Sequence, residues 1–227
     1  MHLLDGKLIS GLIKAEIALE VKETMLDAGL PVPHLAAVLV GDDPASQTYV
    51  AAKEKSCREV GFISSVYRYP ADISQRQLLE VVDFLNNDPE IDGFIVQLPL
   101  PKQIDEQQII ERINPLKDID GFHPVNIGKM VLGLPCFLPA TPFGIMTLLE
   151  RSGVETAGKH CVVLGRSHIV GTPISILLSR KSNPGNATVT LCHSFTHDIA
   201  KYTREADILV VAMGKPECIT KDMVKKG

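Results

Sequence analysis

The chain has no apolar run long enough to cross a membrane as a helix. Its longest apolar stretches, residues 35–40 and 208–213, are strand-sized, far short of the roughly 20 residues a span requires. The opening Met1-His2-Leu3-Leu4-Asp5-Gly6 meets an acid before a signal-peptide core can form. There is no basic excess either: 23 Lys+Arg against 27 Asp+Glu leave a net charge of −4, so nothing draws the chain to nucleic acid or an anionic membrane. The five cysteines are odd in number and dispersed, with no C-x-x-C, which excludes a disulfide framework and a zinc site and reads as buried thiols in a reducing compartment. The seven histidines show no H-E-x-x-H spacing, so no metal is expected. Glycine and proline, 17 and 15 residues, are scattered rather than gathered into a flexible linker. What remains is a globular composition, 45% hydrophobic and 22% charged over 227 residues, expected to be a soluble cytoplasmic protein of one to two domains.

Strand-like and helix-like segments alternate. Apolar residues at helical spacing run from Leu8 to Ala28 and stop at Gly29. A strand over 34–40, a helix capped by Ser46 and running to Val60, a strand over 63–69, a helix opened by the capping-box pattern Ser74-Gln75-Arg76-Gln77, and a strand over 93–98 follow. From 99 to 138, prolines punctuate a stretch of thin regular signal, the expected interdomain segment, and a crevice there would suit a ligand. Thr141-Pro142 starts a helix ending at Gly153. A second alternation then gives strands at 160–164, 188–192 and 207–212, with helices between them and a last helix from Thr220. The fold class predicted is α/β: two three-layer domains, 1–138 and 139–227, the second a Rossmann-like dinucleotide-binding domain, with a cleft between them. Lys225-Lys226-Gly227 reads as a helix C-cap where a nucleotide-binding fold would continue, so a C-terminal segment is expected to be missing.

Four segments could carry chemistry. Gly165-Arg166-Ser167-His168-Ile169-Val170-Gly171 joins a predicted strand to a predicted helix, where a pyrophosphate meets backbone N–H groups and the positive helix end. It departs from G-x-G-x-x-G, and a plain turn is the alternative. The next strand ends in Cys192-His193-Ser194 with no acid. Since an acid there holds the ribose hydroxyls and repels a 2′-phosphate, NADP is favoured over NAD, with Arg166 as the cation. Tyr49 and Lys53 lie four apart on one helix face, either as a catalytic amine beside a phenol or as a surface lysine along a ring. Gln97, in Val96-Gln97-Leu98-Pro99, stands at a strand C-terminus where ligands of open sheets gather, or is satisfied by loop backbone. Lys117-Asp118-Ile119-Asp120-Gly121 is a solvated turn or a carboxylate aimed at the crevice.

Taken together, these segments resemble the bifunctional methylenetetrahydrofolate dehydrogenase/methenyltetrahydrofolate cyclohydrolase family. The resemblance rests on Val40-Gly41-Asp42-Asp43-Pro44-Ala45-Ser46, Tyr49-x-x-x-Lys53-x-Lys55, Val96-Gln97-Leu98-Pro99-Leu100-Pro101, Lys117-Asp118-x-Asp120-Gly121, Pro139-x-Thr141-Pro142, the 165–173 turn and Ala187-Thr188-Val189, seven motifs in one order. It implies NADP-dependent oxidation of a folate methylene bridge and hydrolysis of the methenyl product, in one-carbon metabolism. It also implies roles: Lys53 as catalytic lysine, Gln97 holding and tuning it, Tyr49 lining the folate site beside Val96 and Leu98, and Asp120 binding the pterin as part of the catalytic set. Gly165, Arg166, Ser167 and Ser194 would contact NADP, with Thr141 on the nicotinamide side, and a homodimer is implied. Two other readings stand beside it. Tyr49-x-x-x-Lys53 matches the catalytic pair of short-chain dehydrogenases, although here it precedes the dinucleotide turn; the other is a non-catalytic folate- or nucleotide-binding module.

Overall fold

In a computed structural model, residues 3–226 are described. They form two compact units: Asp5–Val125, and the described residues from Asn126 onward with Leu3 and Leu4.

The first unit is built around β1 (His34–Val40), whose last five residues are all buried. A strand apolar on both faces must be covered on both. β1 lies between β2 (Ile63–Tyr69) and β3 (Gly93–Val96), all parallel, in the order β2-β1-β3. Alternate residues face opposite layers. Ala36, Val38 and Val40 pack with Leu78, Val82 and Leu85 of α3 (Gln75–Asn87) and Ile109 of α4 (Glu106–Arg112). Ala37 and Leu39 pack with Val50 of α2 (Pro44–Val60) and Ile95. Each fully buried Val, Leu or Ile among these contributes about 1.5–3 kcal/mol. α1 (Gly6–Val21) lies against α2.

The second unit repeats the scheme: β4 (His160–Leu164) sits between β5 (Thr188–Cys192) and β6 (Ile208–Val211), again parallel. Cys161 and Val163 face α6 (Ala140–Arg151) and α7 (Gly171–Ser179), together with Met130 of α5 (Pro124–Leu132). Val162 and Leu164 face the side of α8 (Ile199–Glu205). Burial takes the Cys161 thiol up to about 12, which suits an inert core position. Both units are three-layer α/β sandwiches with parallel sheets.

Several local expectations are corrected. The first helix is α-helical only to Val21 and continues as a π-helical turn, Lys22–Leu26, before Gly29 at φ +67°; apolar spacing does not separate the two pitches. The cap of α2 is Asp43, not Ser46. Pro44 occupies the first turn, and the Asp43 carboxylate accepts from Ser46 N–H at 2.7 Å. The 99–138 stretch contains α4, capped by Asp105, and α5; seven and nine residues between prolines are too few to show a period. Thr141 does not cap α6, since Pro139 holds that position without a side-chain bond and Thr141 lies exposed in the first turn. β3 ends at Val96, although Gln97 N–H still donates to Val38 C=O at 2.9 Å. In place of a last helix, one 3₁₀ turn spans Lys221–Met223.

The Asp43 cap matters because α2 carries Tyr49 and Lys53. Hydrogen bonds from Ser46 hold the Asp43 carboxyl below its ordinary value. That stabilisation is present above the unfolded carboxyl pKa and is lost as pH falls through the lower folded one. Asp43→Ala is expected to lower Tm at neutral pH by about 2–4 °C. Thermal melts followed by circular dichroism should show wild type and variant converging in acid.

Candidate active site

Within the first unit, two sequence-predicted residues 67 positions apart meet: Lys53 Nζ lies 3.4 Å from an Asp120 carboxylate oxygen. Lys53 reaches from the third turn of α2, its side chain 45% exposed, while Asp120, in the turn between α4 and α5, is 17% exposed. Burial raises the Asp120 carboxyl above its ordinary value; Lys53 pulls it down and the Asp118 charge pushes it up. Burial therefore wins over the attraction of Lys53. The pair sets a basic side chain beside a carboxyl whose charged form is disfavoured by burial.

Gln97 follows β3 directly. Its amide nitrogen donates to Leu98 C=O at 2.7 Å, and its carbonyl oxygen is buried with no partner among the described residues. Gln97 thus does not hold Lys53 by a hydrogen bond here; the partner of the lysine is a carboxylate. An unpaired buried acceptor is costly and fits a donor brought by a ligand. Val96 is buried and Leu98 half-buried beside it. Tyr49, one helical turn before Lys53, is 63% exposed.

Within the second unit, the turn after β4 is shaped by two glycines. Gly165, at φ +106°, lies so close to the loop after β6 that a Cβ would overlap the Ala212 carbonyl oxygen. A Cβ on Gly171 would overlap the Gly165 carbonyl. Between them, Ser167 Oγ accepts from Val170 N–H at 3.1 Å and Gly171 N–H at 3.4 Å, and Ser167 C=O accepts from Thr172 N–H at 3.0 Å. The turn thus opens α7 with backbone packed on backbone, the close approach that a pyrophosphate cradle demands.

Arg166, exposed on this turn, places its guanidinium 5.9 Å from the ring centre of Phe195, a cation–π contact. Ser194, also exposed, adjoins Phe195, so the Arg166–Ser194 surface forms at the end of β5. Thr141 lies on α6, which packs against α7. Sequence reasoning missed Phe195, whose contribution depends on a contact across 29 positions, and Asp118, 2% exposed beneath the Asp120 turn. Among the described residues no group of His, Cys, Asp and Glu could hold a metal ion.

Comparison with known proteins identifies the family. Residues 4–120 match the model for the tetrahydrofolate dehydrogenase/cyclohydrolase catalytic domain, and residues 139–227 match that for its NAD(P)-binding domain. The bifunctional protein FolD of Cytophaga hutchinsonii is 59% identical over 227 residues, covering 100% of this chain and 78% of the relative. A FolD methylenetetrahydrofolate dehydrogenase/cyclohydrolase from Campylobacter jejuni superposes with a TM-score of 0.94 at 45% identity, covering 100% of this chain and 79% of its own. The Trypanosoma brucei methylenetetrahydrofolate dehydrogenase-cyclohydrolase, solved with NADP and an inhibitor, gives 0.92 at 36% identity, covering 98% and 75%. Both domain models and these relatives cover the chain, which belongs to the tetrahydrofolate dehydrogenase/cyclohydrolase family.

Proposed function

We propose that this chain oxidises 5,10-methylenetetrahydrofolate to the 5,10-methenyl form with NADP and hydrolyses that product to 10-formyltetrahydrofolate. The folate site is assigned to residues 1–138 and the cofactor site to 139–227. The observation that carries the reading is the 3.4 Å Lys53–Asp120 pair. Bound NADP supplies a two-electron acceptor for the hydride leaving the methylene carbon. The lone pairs of the two flanking nitrogens push that hydride out, so no strong base is required. In the second half-reaction, water adds to the amidinium carbon and its proton passes to the Lys53–Asp120 pair. The carbon–nitrogen bond to N5 then breaks as a proton returns to that nitrogen and the new hydroxyl gives up its own to become the formyl C=O, so one proton is released overall.

Asp120 binds the pterin, and the unpaired Gln97 carbonyl accepts from a donor on the substrate or the attacking water. Tyr49, Val96 and Leu98 line the folate site. Gly165 and Ser167 form the pyrophosphate cradle. Arg166, steadied on Phe195, and Ser194 take the 2′-phosphate, because no acid stands at the end of β5 to repel it. Thr141 borders the nicotinamide. We assign a homodimer and a cytoplasmic location as well; among the described residues no helix is long and apolar enough to cross a membrane, and light scattering checks the first.

The reading is tested by following absorbance as the purified chain reduces NADP with methylenetetrahydrofolate, then as it consumes the methenyl compound. Turnover in both supports it, and binding of folate and NADP without turnover would favour a non-catalytic module. Asp120→Asn separates function from stability. Because the folded carboxyl is raised, its favourable contribution is present below the unfolded value and is lost as pH rises through the folded one. The variant is expected to melt above wild type at neutral pH, to lose that advantage in acid, and to turn over folate roughly 10²-fold more slowly or worse. Calorimetry across pH, beside the two assays, checks all three.

A further inference from the structure

The Lys53–Asp120 pair leaves open what holds the 118–123 turn so that the Asp120 carboxyl meets an amine on another element. We propose that Asp118 is a positioning residue for folate binding, its buried carboxylate gathering residues 118–123 so that Asp120 is presented to Lys53 and to the substrate. This rests on the reading of Asp120 as a substrate-binding group.

Asp118 is 2% exposed. One carboxylate oxygen accepts from Gly121 N–H at 3.1 Å and the other from His123 N–H at 2.8 Å. Both bonds are buried, and together they bend the chain back around the side chain, with Gly121 at φ +71°. The two ends of the turn are also fixed. Before it, Phe94 N–H donates to Lys117 C=O at 2.9 Å, and Lys117 Nζ donates to the carbonyls of Leu85 and Asp88 at the end of α3, at 3.1 and 2.6 Å. After it, the His123 ring accepts from Val125 N–H at 3.0 Å through Nδ1 and reaches Glu111 C=O at 3.3 Å through Nε2. Gly93 lacks the Cβ that would overlap the Ile119 side chain, so the middle of the turn packs onto β3. Asp118 accepts from the turn's own backbone, and Asp120 faces Lys53.

A buried carboxylate is expensive to keep unless its hydrogen bonds are complete. Placing one inside a turn makes sense where the turn must not wander, since misplacing a binding group by 1 Å is enough to lose most of its effect. Asp118 also acts on its neighbour through charge. The charged groups facing Asp120 are Lys53 from α2 and Asp118 from its own turn. The small cavity beneath is otherwise lined by apolar residues, among them Val96, Leu98, Ile109 and Phe122.

The test is Asp118→Asn, which keeps the volume while replacing one acceptor with an amide donor and removing the charge. Expected are a rise of roughly 10–100-fold in KM for methenyltetrahydrofolate, an unchanged Kd for NADP, and a shift to lower pH of the activity limb that reports Asp120. Unchanged KM and an unmoved limb, with only a lower Tm, would overturn the proposal, because a merely structural residue does not move a pH profile. Asp120→Asn run in parallel separates the two ideas: an unaltered KM there defeats the reading of Asp120 itself. Should Asp118→Asn not fold, hydrogen exchange on the wild-type protein decides. The Gly121 and His123 amides are expected to be protected together, and exchange at open-loop rates would overturn the proposal.

Discussion

Lys53→Met is expected to abolish hydrolysis of the methenyl compound, a loss of about 10²–10⁴-fold, the usual worth of a positioned proton-transfer group. Met keeps the length and the apolar stem of the side chain while removing the nitrogen that meets Asp120. NADP binding should remain close to wild type, because the glycine-cradled turn lies in the other compact unit. The variant should also expose what the pair does to the carboxyl. Burial already raises Asp120, and Lys53 is the attraction that opposes it. With the amine gone, the Asp120 carboxyl moves further up, and its cost to the fold is incurred at higher pH. Stopped-flow absorbance on the methenyl compound, fluorescence titration with NADP and a pH series of melts check the three parts. Hydrolysis at the wild-type rate would remove Lys53 from the reaction.

Much of the frame could be read directly because the determinants are local. β1, β2, β4 and β5 span the residues predicted for them. The central strands β1 and β4 are apolar on both faces, as their position in a parallel sheet requires, whereas β2 carries Ser64, Ser65 and Arg68 at a sheet edge. The capping box at Ser74 forms as written, with Ser74 and Gln77 each bonding the other's backbone. Gly61 ends α2 in the left-handed conformation, as an apolar-periodic run meeting a glycine predicts. The misreadings share one cause: a competing local option prevailed by fit. Asp43 and Ser46 are both good caps, and Pro44 decides between them because its fixed φ suits the first helical turn. α4 and α5 are short, and tertiary cover rather than periodicity holds them, Ile109 and Met130 being fully buried.

The candidate site was legible as residues but not as a geometry. Spacing could place Tyr49 with Lys53 on one face, yet the partner of Lys53 is Asp120, on the turn after α4 that a Phe94–Asp118 bridge lays beside β3. Nor could spacing tell Asp118 from Asp120. Two acids two apart in a turn look alike until one is seen buried against backbone N–H groups and the other facing an amine. Phe195 carries no signal at all in a string of letters, since an exposed aromatic gains meaning only from the guanidinium laid over it.

Gly171→Ala is expected to be the most damaging single-methyl change in the second unit. Its φ is helical and strain is not the reason. The added Cβ would overlap the carbonyl of Gly165 and press on the backbone of Arg166, and neither is the free end of a flexible side chain. Overpacking that cannot relax costs about 3 kcal/mol or more, a fall in Tm of roughly 6–12 °C for a chain of this size. The relief available is to push residues 165–166 away from α7, which opens the cradle, so NADP binding should fall further than stability. Gly144→Ala is the control. It is the same chemical change inside α6, where a new Cβ meets nothing within 4 Å, and it should raise stability by about 0.5–1 kcal/mol through helix propensity. Opposite signs for one methyl group, read by thermal melts and NADP titration of both variants, would show that backbone contact at the 165–171 turn, rather than glycine content, builds the cofactor site. A Gly171→Ala protein with wild-type Tm and wild-type affinity for NADP would mean that the turn does not hold the pyrophosphate.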